Sequence, residues 1–455
     1  MATLDRLRDI VRTHRASVPS VAPELLTTES RGGSLDPPAL AAFSDRADYT
    51  RAALELGGAF VEHSDGAVIV VDREYRADML HGRTPVGEIV STINDGAGAL
   101  QLMGKAWPSA SGVVEGGVQT RLLFLDLETT GLFSGAGTQA FLIGCAAIDG
   151  TSIRVRQFVL PGFEHEKALL NAMQDWMKRH GALCTYNGRT FDVPLIETRF
   201  MFHRVPCPLD GVPHLDMLHP ARRMWRQRPL ASGTPDPDDS SCSLAVLEKQ
   251  IAGLHRVGDV PGYEIPSRFF TFVRTGDARP LEAVMEHNRL DLLSLAAVLA
   301  RAIVLITRGP AAATTAQEAY GLARVYERGG EYENAEAALV RTIEFAKRVG
   351  AEPEVHGEAL RRLAWIRRRD RRPHDAAEAW NELAVLPRCA AALRREAKEA
   401  LAIHHEHRLK DLRSARQHAI DLLTEGAVNP ARVQHRLDRL ERKLARSSEA
   451  RLPLN

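Results

Sequence analysis

The sequence predicts an α/β domain, a mixed sheet flanked by helices, followed by an all-α region of helix pairs. Two observations carry that expectation. Apolar runs at 121–126, 140–147 and 153–160 precede a helical pattern near 165–180, a strand at 183–186 and a helix after Asp192. After residue 314 the chain becomes helical throughout, with small residues recurring at corresponding places. The expected divisions are an N-terminal region over 1–115, the α/β domain over 116–310 and the helical region over 311–455.

Taken in order, Leu4 to Val11 has the pattern of a short amphipathic helix. A Ser/Pro/Gly-rich stretch follows, with Gly32-Gly33 and Pro37-Pro38, and reads as a draped segment. Alternation between Ala59 and Val71 around Asp65-Gly66 predicts a hairpin. Gly135-Ala136-Gly137-Thr138 lacks the Lys-Ser/Thr ending of a phosphate-binding loop and reads as a turn between the first two strands of the domain. Residues 229–241, rich in Pro and Asp, form a polar surface loop, and Ser243 is placed to cap the helix after it. A long amphipathic stretch from Leu281 to Ile306 predicts a helix.

The chemistry begins at Leu122-Leu123-Phe124-Leu125-Asp126-Leu127-Glu128, where an apolar run ends in carboxylates at i and i+2. On a strand these share one face. Acidic groups side by side at a buried strand end repel each other and lose hydration, so a bound Mg²⁺ or Mn²⁺ is the expected compensation. The bland alternative is a strand end meeting solvent. A second segment, Leu183 to Asp192, runs through Asn187-Gly188 into a carboxylate that opens a helix, where Asp192 could equally act as an N-cap. The third piece is His287-Asn288-Arg289-Leu290-Asp291, whose His and Asp stand at i and i+4 on one helix face. Two weaker signals remain. His214-Leu215-Asp216-Met217-Leu218-His219 has ligand-type residues but reads better as a strand entering a helix. Arg222, Arg223, Arg226 and Arg228 form a basic stretch that suits either a phosphate backbone or a solvated face.

Asp126, Glu128, Asp192 and Asp291, in this order and with His287 one turn before the last, resemble the DEDD four-carboxylate 3′–5′ exonucleases of the ribonuclease-H-like superfamily. The resemblance covers residues 120 to 305. Asp259-Val260-Pro261-Gly262, Ile265-Pro266 and His287-Asn288 through Ser294-Leu295 look most similar to the YprB-type members. The resemblance implies a sheet of the ribonuclease-H type and a metal-dependent 3′–5′ exonuclease that uses two divalent ions, Mg²⁺ or Mn²⁺, on DNA or RNA. It implies that Asp126 bridges both ions, that Glu128 and Asp291 hold one of them with the attacking water, that Asp192 holds the other through water, and that His287 is the general base. It further implies substrate contacts at Thr129, Gly131, Leu132 and Asn187, with Arg222 and Arg223 beside them. One departure is clear: the superfamily places Tyr four residues, or His five residues, before the final Asp, whereas here a His takes the four-residue spacing.

In the C-terminal region, Leu322-Ala323-x-x-Tyr326 with Gly330, Tyr332 and Ala335 resembles a tetratricopeptide repeat. Leu363-Ala364 with Ala376, and Leu401-Ala402 with Ala415, echo it at intervals of about 40 residues, longer than the usual 34. The alternative is an irregular helical bundle with no binding face.

Composition narrows the classes further. Net charge is +1, so any hold on nucleic acid must come from local patches, and the basic excess lies after residue 310. The five cysteines are scattered singly, which argues against a zinc or disulfide framework and for a reducing compartment. The opening residues lack the apolar core of a secretory signal, and a cytoplasmic protein is expected. Two functions follow: the exonuclease, or a catalytically weak nucleic-acid-binding scaffold whose helical repeats recruit a protein partner.

Overall fold

The computed structural model describes residues 46–104, 122–131, 137–226, 242–349 and 353–449. All of these belong to one compact unit, 43–455. The helix expected at Leu4 to Val11, the draped segment after it, Leu132, Gly135-Ala136 and the 229–241 loop lie outside the described residues.

A seven-stranded mixed sheet organises the first two thirds of the chain, in the order β1-β2-β7-β6-β5-β8-β9. The strands are β1 (Ala59–His63), β2 (Gly66–Tyr75), β5 (Leu122–Thr129), β6 (Ala140–Asp149), β7 (Ser152–Val159), β8 (Ala182–Thr185) and β9 (His214–Asp216). A separate two-stranded pair joins β3 (Leu80–His81) and β4 (Thr84–Pro85). β5, β6 and β7 run antiparallel in succession, while β8 lies parallel to β5 and β9 parallel to β8. The hairpin expected around Asp65-Gly66 forms, and its second strand pairs antiparallel with β7 from Ile69↔Val159 to Tyr75↔Ile153. The sheet therefore runs across the division expected at residue 115. Pairing to an open strand edge depends on which edge is free in the folded protein, and no local pattern carries that.

Helices cover both faces. On one, α1 (Arg46–Glu55), α4 (Glu166–Met177), α5 (Asp192–Phe202) and α8 (Ile265–Thr275) pack on Leu123, Leu125, Phe141, Ile143 and Phe158. On the other, α2 (Val86–Asn94), α3 (Ala97–Met103), α6 (Leu218–Met224), α7 (Leu244–Ile251) and the second half of α9 (Arg279–Arg308) bury Leu122, Phe124, Ala146 and Cys184. Odd and even residues of β5 thus feed two different cores, as the strand period demands. Ser243 caps α7 as expected, its side chain accepting from Val246 N.

The segment Arg279–Ala312 contains an 18-residue window of mean hydropathy 2.1, long and apolar enough to cross a membrane. That window is 72% buried inside the protein, so α9 is its central core helix.

The C-terminal region is a run of consecutive packed helices: α10 (Ala316–Gly329), α11 (Tyr332–Val349), α12 (Pro353–Arg369), α13 (Pro373–Val385), α14 (Ala391–His404), α15 (Leu412–Thr424) and α16 (Pro430–Glu449). The small and aromatic residues singled out in the sequence, among them Leu322, Ala323, Tyr326, Leu363, Ala364, Ala376, Leu401, Ala402 and Ala415, are buried between these helices. Their core is continuous with that of α9 and α6. Buried Glu318 fastens the junction: it accepts from Trp225 Nε1 at 3.1 Å, Arg301 Nη2 at 2.6 Å and Thr314 N at 2.9 Å.

Candidate active site

Three parallel strands, β5, β8 and β9, end at one edge of the sheet, the place where open α/β sheets bind ligands. Each brings a carboxylate. Asp126 and Glu128 close β5 on the face shared with Phe124 and Leu122. After β8, Asn187 turns the chain in the left-handed region at φ 67°, and Asp192 becomes the first residue of α5. Phe191 holds the N-cap position, so Asp192 does not spend its carboxylate as a cap. Asp216 ends β9 and is consumed by backbone: it accepts from Asn187 N at 2.8 Å, Arg189 N at 3.1 Å and Leu218 N at 3.1 Å. It therefore shapes the loop that presents Asp192.

The fourth carboxylate comes from α9, which crosses the end of β5 and β6. Asp291 and His287 share a face of it, with His287 Nε2 3.6 Å from Asp291 Oδ2. All four expected ligands are half-buried in the cleft. Burial, then the charges of Asp291, Glu128 and Asp192, holds the Asp126 carboxyl well above the usual range. Glu128 is raised likewise, first by burial and then by Asp291, Asp192 and Asp259. Burial and the neighbouring Asp216 push Asp192 up to about 7. Asp291 is also raised by burial, although Arg256 and His287 oppose the effect. The charges of Asp192 and Asp291 both reach Asp126 and Glu128, so the four carboxylates face one cleft without closing into a cluster.

Two residues that sequence reasoning passed over orient the set. Asn288, fully buried, donates from Nδ2 to Asp126 Oδ2 at 2.9 Å and to the Asp126 carbonyl at 3.2 Å. Its own Oδ1 accepts from Gln157 Nε2 at 2.9 Å. Gly144 pairs opposite Asp126 in β6, and a Cβ there would stand 2.0 Å from Asn288 Oδ1. Glycine at that position lets the amide through to the carboxylate.

Arg256 is the second. It donates to Glu248 Oε2 at 2.7 Å and to Asp291 Oδ1, and its Nη1 lies 3.2 Å from Asp259 Oδ2. Asp259 in turn accepts from His287 Nδ1 at 2.7 Å. Despite partial burial, that bond and the charges of His287 and Arg256 hold Asp259 below the usual carboxylate range. Behind Arg256 the network continues inward, since Ser294 Oγ donates to Glu248 and lies 2.9 Å from His81 Nε2. Asn288 and Asp259 stood inside motifs quoted for the family resemblance. Arg256 and Glu248 carried no local signal.

The remaining expected contacts are placed as follows. Thr129 Oγ1 donates to the Gly131 carbonyl at 2.7 Å and tightens the exit from β5. Asn187 contributes its backbone to Asp216. Arg222 is exposed on α6, whereas Arg223 is half-buried and faces α10. His214 belongs to β9, and its Nε2 lies 2.8 Å from Thr185 Oγ1.

Among the described residues, no group of three or more His, Cys, Asp or Glu side chains is drawn together as a ready-made metal site. The donor chemistry nevertheless suits a hard divalent cation. Asp126, Glu128, Asp192 and Asp291 offer carboxylate oxygens in a desolvated cleft, and their raised titration follows first from burial and, for Asp126 and Glu128, also from the charges of the other carboxylates.

The mixed sheet and the acidic edge of its parallel strands define a domain of the RNase_H superfamily, whose family model matches residues 123–303. The "Uncharacterized protein YprB" of Bacillus subtilis (strain 168) is 30% identical over 332 residues, covering 71% of this chain and 75% of that protein. The chain belongs to this YprB family of RNase-H-like proteins. Among solved structures, the family B DNA polymerase of the hyperthermophilic archaeon Pyrobaculum calidifontis is 15% identical with a TM-score of 0.31, over 51% of this chain and 30% of the polymerase.

Proposed function

We propose that this protein is a 3′–5′ exonuclease that hydrolyses phosphodiester bonds of DNA or RNA with two divalent ions, Mg²⁺ or Mn²⁺. The observation that carries the reading is that Asp126, Glu128, Asp192 and Asp291 are held around one sheet edge, where the charges of Glu128, Asp192 and Asp291 act on Asp126 and those of Asp192 and Asp291 act on Glu128. These four carboxylates would hold the ions. When bound, such ions supply Lewis-acid chemistry that activates water and neutralises the leaving oxygen.

The chain's own residues support the rest. The Asp259 carboxylate accepts a hydrogen bond from His287 Nδ1–H, and with Nδ1 protonated Nε2 is the ring nitrogen able to accept a proton from an attacking water. Asp259 also keeps the ring oriented, as a carboxylate does for a catalytic imidazole. Asn288 fixes one oxygen of Asp126, which would leave the other for an ion. We read the C-terminal helix pairs as degenerate tetratricopeptide repeats.

The test is cleavage of 3′- and 5′-labelled single-stranded DNA and RNA by the purified protein with Mn²⁺, Mg²⁺ or EDTA, with Asp126→Asn alongside. Metal-dependent shortening from the 3′ end that vanishes in Asp126→Asn is expected. No cleavage with nucleic acid still bound would favour the scaffold reading, for which the internal pairing of Asp291 with Arg256 is the supporting observation.

A further inference from the structure

A groove of about 760 Å³ opens where α6 of the sheet domain meets α10, α11 and α12. Its walls carry Arg223, Arg324, Arg328 and Arg369 together with Trp365 and Tyr332. Two further arginines in the wall are neutralised: Arg362 pairs with Glu327, and Arg361 with Glu358 at 2.8 Å. Arg223, Arg328 and Arg369, by contrast, have no carboxylate within ion-pair distance among the described residues. Gathering unbalanced guanidinium groups on a concave surface costs free energy through mutual repulsion. Burial and the nearby Arg328 and Arg324 depress Arg223 to about 10, which reports that crowding.

The aromatic lining narrows the ligand. Trp365 is 47% exposed, yet its indole is fixed by a 3.0 Å bond from Nε1 to Glu396 Oε1. The Arg369 guanidinium lies 3.1 Å from the centre of the Tyr332 ring. A pre-oriented, exposed indole beside guanidinium groups that no carboxylate balances is a combination that holds single strands, with a base stacked and phosphates neutralised. An acidic protein surface would use the charges but has no need of the exposed indole.

One helix links the groove to the loop that presents Asp192. Gly321 of α10 sits so close to Met224 that an added Cβ would stand 2.3 Å from its Cα, and this seats the helical region directly on the end of α6. α6 begins beside Asp216 and ends at the groove, a span of about 10 Å for its seven residues.

We propose that this groove binds single-stranded nucleic acid and leads it to the carboxylate cleft. The proposal rests on the exonuclease reading for where the strand ends, but binding itself does not require catalysis.

The experiment is fluorescence anisotropy of a labelled single-stranded oligonucleotide with the full chain in EDTA, across a salt series. The double variant Arg328→Glu/Arg369→Glu, at two exposed positions, should weaken binding about tenfold or more and flatten the salt slope by roughly 0.7 per arginine. Thermal melting checks its fold, and Trp365→Phe gives a second measurement: oligonucleotide should quench tryptophan emission in the wild type and less in this variant. In the cleavage assay, the double variant should raise KM and keep kcat. Unchanged affinity and slope would overturn the groove, as would polyglutamate displacing the oligonucleotide as well as unlabelled strand does. Binding through the groove without cleavage under any metal would overturn the exonuclease reading alone, and cleavage at wild-type KM by the double variant would overturn the groove alone.

Discussion

The guanidinium of Arg256 donates to the carboxylate of Asp291, one of the four acidic groups of the cleft, while the same side chain holds the buried Glu248. One internal cation therefore joins the cleft to the core of α7 and α9. Arg256 is 7% exposed at its side chain, so its charge is partnered by protein rather than by water.

Removing that cation should expose the conflict it balances. Arg256→Met leaves Glu248 without its ion pair and Asp291 facing Asp126 and Glu128, and is expected to cost about 3–5 kcal/mol. Urea unfolding measures this as a lowered midpoint at similar slope. Mg²⁺ should recover more stability in the variant than in the wild type, because a bound cation replaces the lost charge. An unchanged midpoint would refute the role.

Asn288→Ala removes the amide that fixes Asp126 and leaves Gln157 Nε2, in a fully buried place, with the Met285 carbonyl but without its second acceptor. The expected stability cost is about 1–3 kcal/mol, and loss of an orienting contact to a metal-ligating group should lower nuclease activity by roughly 10–100-fold. Gly144→Ala should give a similar activity loss, since the new methyl displaces the amide without touching Asp126. Wild-type turnover in both variants would show that Asp126 orients itself.

The cleft gives stability a definite pH dependence. Asp192 titrates at about 7 in the folded protein and near 3.9 in an unfolded chain, so the folded state binds its proton more tightly. Its contribution is present at low pH and declines as pH rises between these two values. Without divalent cation, Asp192→Asn should melt higher than wild type by about 1–3 °C near pH 8 and equally near pH 4. Added Mg²⁺ should close the gap at the higher pH. A variant that melts lower near pH 8 would contradict the strain.

Glu406 shows the opposite sign. It is buried, which raises a carboxyl, but hydrogen bonds from Arg439 and Lys443 outweigh burial and pull it down to about 2. Its stabilisation is therefore present above the unfolded value near 4.3 and is lost as pH falls toward 2. Arg439 and Lys443 both lie on α16, so Glu406→Gln should speed amide hydrogen exchange over residues 430–449 and leave β5 and β6 unchanged. Uniform protection in the variant would place the anchoring of α16 elsewhere.

What the sequence determined by itself were features of short range. The two-residue period of β5 put Asp126 and Glu128 on one face, the i, i+4 spacing put His287 beside Asp291, and the runs at 140–147 and 153–160 located β6 and β7. The small-residue pattern after 314 marked buried helix contacts. Tertiary structure alone decided the rest. Asn288 reaches Asp126 across 162 positions of chain, and Arg256 reaches Asp291 across 35. The hairpin's place on the edge of β7 and the arginine groove between α6 and α12 likewise depend on which surfaces meet. Backbone period fixes where a side chain points within its own element, whereas its partner is set by packing between elements that no local pattern records.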